Sequence, residues 1–114
     1  MDSAKLHLWV DRYNWDDGLA PIWVIADHPQ TEFATALMIY WRLGGPWLEA
    51  DPGGVNEDAK RLQDLVRERL LAGFYPLGAS RFDPSVEELT RVHLYQLRKA
   101  GVPELLLRSS EAHA

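Results

Sequence analysis

The chain has 114 residues and no cysteine; 46% of its residues are apolar, 25% are charged, and the formal net charge is -5. This composition fits one globular domain with a real core, and it excludes disulfides, thiolate chemistry and a disordered chain. The acidic balance disfavours nucleic acid and anionic membranes as partners, because both require a basic face.

The N-terminal residues show no secretion signal. Met1 to Ala4 includes an aspartate, and no apolar segment of signal-peptide type follows. The apolar run from Ala36 to Trp41 is far too short to cross a bilayer. We therefore expect a cytoplasmic protein with no membrane partner, which agrees with the absence of cysteine.

The first helix is predicted from apolar residues at helical spacing, namely Leu6, Trp9, Val10 and Tyr13. The pattern predicts a helix over about residues 4–13, with Ser3 as its N-cap.

A turn and a second helix follow. The turn-forming residues Asn14 and Gly18 bracket the break. The next helix is short and apolar, with Pro21 in its first turn and either Asp16 or Asp17 as its cap.

The third helix is the predicted centre of the fold. It spans about residues 32–43, begins after the N-cap Thr31, and carries only one charged side chain between Phe33 and Leu43. A helix that is apolar around its circumference packs on all sides. Gly44-Gly45-Pro46 ends it.

Two more helices complete the pattern. The fourth begins after Asn56 and ends at Gly73, with a buried stripe at Ala59, Leu62, Leu65, Val66 and Leu70. The fifth is predicted to begin with Asp83 as its N-cap and Pro84 at its first position, with an inner face at Val86, Leu89, His93, Leu97 and Ala100. Glu104 to Leu107 adds one or two turns, and residues 108–114 form a frayed tail.

No segment shows the alternation of a strand. The prediction is therefore an all-α protein: a single compact domain, residues 1–114, with about five helices packed around the central helix at residues 32–43.

Three separated motifs carry a family resemblance: Asn14-Trp15-Asp16-Asp17-Gly18, His28-Pro29 and Thr35-Ala36-Leu37. In this order and spacing they resemble a bacterial family of domains of unknown function. The family signature is an Asn-Trp-Asp-Asp-Gly motif, a His/Asn-Pro helix stop and a Cys-Asp-x-Gly-Thr-Ala-Leu helix start. The match is good over about residues 6–48 and looser elsewhere.

The chain departs from that signature at the third motif. Thr31, Glu32 and Ala34 stand where the signature has Cys, Asp and Gly, which puts a metal or thiol role of that cysteine in doubt. The resemblance implies no agreed activity. It implies small soluble bacterial proteins, some encoded beside toxins as immunity proteins.

The candidate contact residues are acidic or aromatic. Asp16 and Asp17 are either helix caps or a contact for a basic partner. Trp47 lies beside Glu49 and Asp51 in a Gly- and Pro-rich loop, where it is either a lid on the core or an anchor at a partner surface. These five residues are the predicted partner-binding set, and we predict neither catalytic nor metal-binding residues.

The leading hypothesis is a non-enzymatic protein-binding domain without a cofactor. In its specific form, the protein is an immunity protein that blocks a basic toxin domain by occlusion through an acidic surface. No serine or histidine lies in an activating motif, and His7 is expected to be solvated.

Two alternatives stay open. One is a small metal-dependent hydrolase using Asp16, Asp17, His28 and Glu32, although the chain has no HExxH or HxH spacing. The other is a structural helical module of an assembly. The oligomeric state is left open.

Overall fold

A computed structural model describes residues 2–46, 57–84 and 90–110. Within these ranges the chain forms five α-helices and no strand, so the predicted all-α class is confirmed. The helices are α1 (Ser3–Arg12), α2 (Ala20–Asp27), α3 (Phe33–Arg42), α4 (Glu57–Leu71) and α5 (Arg91–Lys99), and 3-10 turns lie at Trp15–Asp17 and Glu104–Leu106.

The helix α3 is the centre of the core, as predicted. Every residue from Phe33 to Trp41 is buried. Its most extensive helix contacts are with α1 and α4. These two helices bury Leu6 and Val10 of α1, and Leu62, Val66 and Leu70 of α4. The apolar circumference of α3 therefore has helices packed on more than one side, which removes its surface from water.

The N-cap of α1 is Asp2, so the prediction of Ser3 was wrong. The Asp2 carboxylate accepts a hydrogen bond from the backbone N–H of Lys5 at 2.8 Å, and Ser3 is already the first helical residue. Aspartate also places a negative charge at the positive end of the helix dipole.

Neither Asp16 nor Asp17 caps α2, so the prediction that one of them is its N-cap was also wrong. The backbone of both lies in the 3-10 turn Trp15–Asp17, and Leu19 is the N-cap without a side-chain hydrogen bond. Pro21 in the first turn has no N–H, so one of the donors that a cap would satisfy is missing.

The N-cap of α3 is Glu32, whereas we predicted Thr31. The Thr31 hydroxyl instead donates to the carbonyl of Ile25 near the end of α2, at 2.6 Å. Thr31 precedes the first helical residue by two positions, and its side chain points back to the previous helix.

The fifth helix begins at Arg91, so the prediction that it starts at Asp83 was wrong. Thr90 is its N-cap and has an extended backbone conformation. Its hydroxyl accepts from the His93 N–H, and the His93 ring accepts from the Thr90 N–H, which forms a capping box. His93 therefore caps the helix, Ala100 is exposed, and residues 85–89 lie outside the described ranges.

The start of the predicted frayed tail is ordered. Ser110 is buried; its N–H donates to the carbonyl of Phe82 at 2.8 Å, and its hydroxyl accepts from the Phe82 N–H at 2.9 Å. Nearby, the indole N–H of Trp41 donates to the carbonyl of Leu106 at 2.8 Å. Residues 111–114 lie outside the described part of the chain.

The segment between α4 and the Phe82 region binds the N-terminus of α3. The Glu32 carboxylate accepts hydrogen bonds from the backbone N–H groups of Ala79 and Ser80, each at 3.1 Å. The Phe33 N–H donates to the carbonyl of Pro76 at 2.7 Å. Gly78 has a φ of +59°, and a Cβ there would stand 1.4 Å from a Glu32 carboxylate oxygen. Only glycine leaves space for this carboxylate.

A pair of glycine substitutions tests this contact. Gly73 also has a positive φ (+74°), but a Cβ there meets no described atom within 4 Å. We expect Gly73→Ala to lower the free energy of unfolding by about 1–2 kcal/mol through backbone strain alone. Gly78→Ala should cost about 3 kcal/mol or more, because it also displaces a buried, hydrogen-bonded carboxylate. Urea denaturation followed by tryptophan fluorescence measures both.

A double-mutant cycle is the control. In a Glu32→Ala background, Gly78→Ala should cost no more than Gly73→Ala, because the carboxylate is no longer there to be displaced. An undiminished difference between the two glycines would show that the carboxylate is not the cause.

Candidate partner-binding groove

An open groove of about 550 Å³ lies along the outer side of α1. The helix contributes Lys5, Leu8, Trp9 and Arg12, and the turn that follows contributes Tyr13, Asn14 and Asp17. We call this surface the α1 groove. It joins the first helix to the Asn14–Gly18 motif that carries the family resemblance.

Helix geometry explains how the groove forms. Lys5, Leu8 and Arg12 are separated by three and four positions, so their side chains lie on one face of α1. The buried residues Leu6 and Val10 lie on the other side. Leu8 keeps 46% of its surface exposed and adds apolar surface beside the aromatic rings of Trp9 and Tyr13.

Aromatic rings form the floor of the groove and continue into the motif. The rings of Trp9 and Tyr13 stack with centroids 4.6 Å apart and planes 20° apart. The Tyr13 ring then meets Trp15 edge to face at 5.9 Å. The Tyr13 hydroxyl donates to the carbonyl of Gly18 at 2.6 Å, across the motif. Tyr13 therefore ties the groove to the motif and holds the turn closed.

The charges in the groove are mixed. Lys5, Arg12 and Asp17 are all exposed, giving two cations and one carboxylate. Neither Lys5 nor Arg12 forms an ion pair with any side chain that the structure describes. By contrast, Asp11 of the same helix pairs with Arg42 of α3 at 3.1 Å.

The predicted contact residues are placed only in part. Asp17 lies in the groove. The side chain of Asp16, and all of Trp47, Glu49 and Asp51, lie outside the described residues. A common acidic surface of these five residues therefore stays a prediction.

Sequence reasoning missed most of the groove. Trp9 and Tyr13 were assigned to the apolar stripe of α1, and both do pack partly against the core. Their remaining surface forms the floor of the groove. The groove could have been predicted from the helical spacing of Lys5, Leu8 and Arg12, which places a leucine between two cations on the solvent side.

A second cavity, of about 400 Å³, lies where α1 meets the head of α3. There His7 and the hydroxyl of Thr35 are 2.8 Å apart, so the expectation that His7 is solvated was wrong. Burial lowers the pKa of His7; the Arg81 backbone and the carboxylates of Asp11 and Glu32 oppose this, but do not outweigh it. His7 is therefore a neutral hydrogen-bonding group at pH 7.

Glu32 lines the same cavity and is held as an anion. Burial would raise its pKa, but hydrogen bonds from Ser80, and then from Ala79, outweigh burial, and the pKa lies below the ordinary 4.5. The two backbone N–H groups that donate these bonds both belong to the segment between α4 and Phe82. It therefore acts as a structural anion.

Two residues of the alternative hydrolase, His28 and Glu32, form hydrogen bonds with main-chain N–H groups. Glu32 is bonded to Ala79 and Ser80, and the His28 ring accepts from the Gln30 N–H at 3.0 Å. Among the residues whose positions are described, no group of three or more His, Asp or Glu side chains could hold a metal ion. The geometry therefore gives no support to this alternative.

The fold and the groove define a small all-α domain with an aromatic surface built on its first helix. This chain belongs to the family described as domain of unknown function DUF4274, which matches residues 1–71. The matched part includes α1 to α4 and the whole α1 groove. Predicted membership of a family of unknown function is thus confirmed. No curated protein and no solved structure matches the chain.

Within residues 2–46, 57–84 and 90–110, no helix is both long enough and apolar enough to cross a bilayer.

Stability should fall in two steps on acidification. The folded-state pKa of His7 lies below 6.5, so its contribution is complete above pH 6.5 and is lost as the pH falls through the folded pKa. The folded-state pKa of Glu32 lies below 4.5, so its contribution is present above pH 4.5 and is lost at lower pH. Urea unfolding over a pH series should show that His7→Asn flattens the upper step and Glu32→Gln the lower one. An unchanged upper step in His7→Asn would contradict this assignment.

Truncation of Trp15 tests the structural role of the motif. Trp15 is half-buried and packs against the core, so Trp15→Ala should lower the free energy of unfolding by about 3 kcal/mol, the low end for such a truncation. Its indole nitrogen is enclosed without a hydrogen-bond partner among the described groups. Trp15→Phe, as the matched control, should therefore cost clearly less. Unchanged stability in Trp15→Ala would refute the structural role.

Proposed function

We propose that this chain is a non-enzymatic protein-binding domain whose contact surface is the α1 groove. The proposal depends on one observation: the stacked rings of Trp9 and Tyr13 line an open groove beside the exposed side chain of Leu8. Aromatic side chains and arginine are enriched at protein interfaces and dominate their binding energy, and this surface combines them.

The shape of the groove favours a macromolecular partner over a small substrate. Small-molecule sites surround most of the ligand with a closed, largely apolar cavity. The α1 groove is instead an open surface along a helix and a turn, with charged side chains around it. Such a surface suits a partner that covers it and keeps water out.

The specific form of the proposal is neutralisation of a toxin by occlusion. It comes from the family resemblance, which implies that some members are encoded beside toxins. Asp17 would then meet a basic group of the partner at the motif end of the groove, together with the predicted contacts at Asp16, Trp47, Glu49 and Asp51. Occlusion requires no catalytic group, cofactor or metal from this chain.

Substitutions in the groove test the proposal. The tagged full chain is co-expressed with the products of the adjacent genes, and a complex is isolated and its affinity measured by calorimetry. We expect Trp9→Ala to weaken binding by about 30-fold, as for a hot-spot residue worth about 2 kcal/mol. Leu8→Ser should weaken binding by a smaller factor with little effect on folding, because Leu8 is already largely exposed.

The matched control is Tyr95→Ala. Tyr95 is an aromatic residue of α5 with 65% of its surface exposed, and it lies outside the groove. Its removal should leave the affinity unchanged within about twofold. Thermal melts establish that every variant is folded. The absence of any complex, or a complex insensitive to both groove substitutions, would refute the proposal. Self-association without a partner would favour the structural-module alternative.

A further inference from the structure

We infer that the segment that occupies the α1 groove is acidic, with two carboxylates flanking an apolar side chain. This inference rests on the proposed function and adds the chemistry of the partner at Lys5 and Arg12. It differs from the basic partner expected at the acidic residues, because it concerns the other part of the same surface.

The spacing of the cations defines the pattern. Lys5 and Arg12 are seven positions apart on α1, two helical turns, and so lie on the same face about 10 Å apart along the axis. Leu8 and Trp9 lie between them. A segment that complements the two cations and the apolar surface between them has an acidic residue at each end and an apolar residue in the middle.

The carboxylates of α1 are engaged elsewhere, which leaves its cations without anions from their own helix. The Asp2 side chain accepts the Lys5 backbone N–H at the N-cap, and Asp11 pairs with Arg42. Lys5 and Arg12 form no ion pair with any side chain in the described ranges.

This arrangement favours anions from the partner. Covering an unpaired cation with an apolar surface removes it from water without compensation, which is costly. A carboxylate placed beside each cation offsets that cost and fixes the register of the bound segment.

Asp17 gives the pattern a direction. It lies at the motif end of the groove, beyond Arg12 along the chain. A third carboxylate near Asp17 would be repelled, and a basic residue there would be attracted. Along α1, the complementary segment therefore has an acidic, an apolar and then a second acidic residue. Where it passes Asp17 in the motif, it is neutral or basic.

A protein segment fits better than a nucleic acid. Nucleic-acid affinity depends on neutralising many phosphates, whereas the groove has two cations on a chain with a formal net charge of -5. The aromatic floor and Leu8 also present apolar surface to a side chain. A single-stranded oligonucleotide therefore serves as the competing occupant in the binding measurements.

The experiment selects binders from a random-peptide display library on the immobilised full chain. We expect the recovered peptides to share two acidic residues on either side of a large apolar residue. A synthetic peptide with the recovered sequence is then titrated by fluorescence polarisation. The double variant Lys5→Glu/Arg12→Glu should weaken its binding at least about tenfold, and a peptide with lysines in place of the acids should prefer this variant.

The matched control is Arg91→Glu/Lys99→Glu. It reverses two exposed charges on α5, outside the groove, and so changes the net charge by the same amount. It should leave the affinity for the acidic peptide unchanged within about twofold. Raising the salt concentration should weaken binding to the original chain more than to the groove variant.

Several results would overturn the inference. Recovered peptides that are neutral or basic would do so, as would an acidic peptide equally weakened by both double variants, or a single-stranded oligonucleotide that binds the groove more tightly than the peptide. A neighbouring-gene partner that is lost with Trp9→Ala but retained with Lys5→Glu/Arg12→Glu would refute this inference alone. Failure of every peptide and every neighbouring-gene product to bind would refute the proposed function as well.

Discussion

The carboxylate of Glu32 accepts hydrogen bonds from two consecutive backbone amides, those of Ala79 and Ser80, and this contact holds a distant segment against the head of the central helix. The N–H of the neighbouring Phe33, at the start of α3, donates to the carbonyl of Pro76 in the same segment. The charge is nearly buried, so its stability depends on these bonds. The helix α1 packs on α3 beside this carboxylate, where the His7 ring is hydrogen-bonded to Thr35 of α3.

The two sides of α1 consequently have separate roles. Its inner side carries Leu6, Val10 and His7, whose burial and hydrogen bonding position the helix. Its outer side carries Lys5 and Arg12, which the described structure does not use for packing. Changes at Lys5 and Arg12 therefore alter what the surface attracts without altering how the helix is held, and binding specificity can change at little cost in stability.

Apolar periodicity predicted α1 to α4 and the central position of α3, because burial dominates the choice of secondary structure in so apolar a segment. It placed the start of α5 too early. The caps were harder. Thr31 has the better intrinsic preference for an N-cap, but Glu32 occupies that position. The hydrogen-bond partners of Glu32 lie about 47 residues later in the chain, so a local sequence pattern cannot predict them. The groove was missed for a related reason: Trp9 satisfies the core and the surface at once, and a stripe pattern assigns each residue to only one of them.

The bonds that close the C-terminal part onto α3 share a chemical property. Trp41 donates to the carbonyl of Leu106, and Phe33 donates to the carbonyl of Pro76. Both acceptors are main-chain atoms, and both lie beyond residue 71, where the family match ends. Every amino acid supplies a carbonyl, so these contacts constrain the path of the chain but not the identity of the side chain. The two acceptor positions therefore tolerate other side chains while they complete the same core, whereas Gly78, beside the Glu32 carboxylate, does not. The family match ends at residue 71, so it stops short of residues that pack on the central helix.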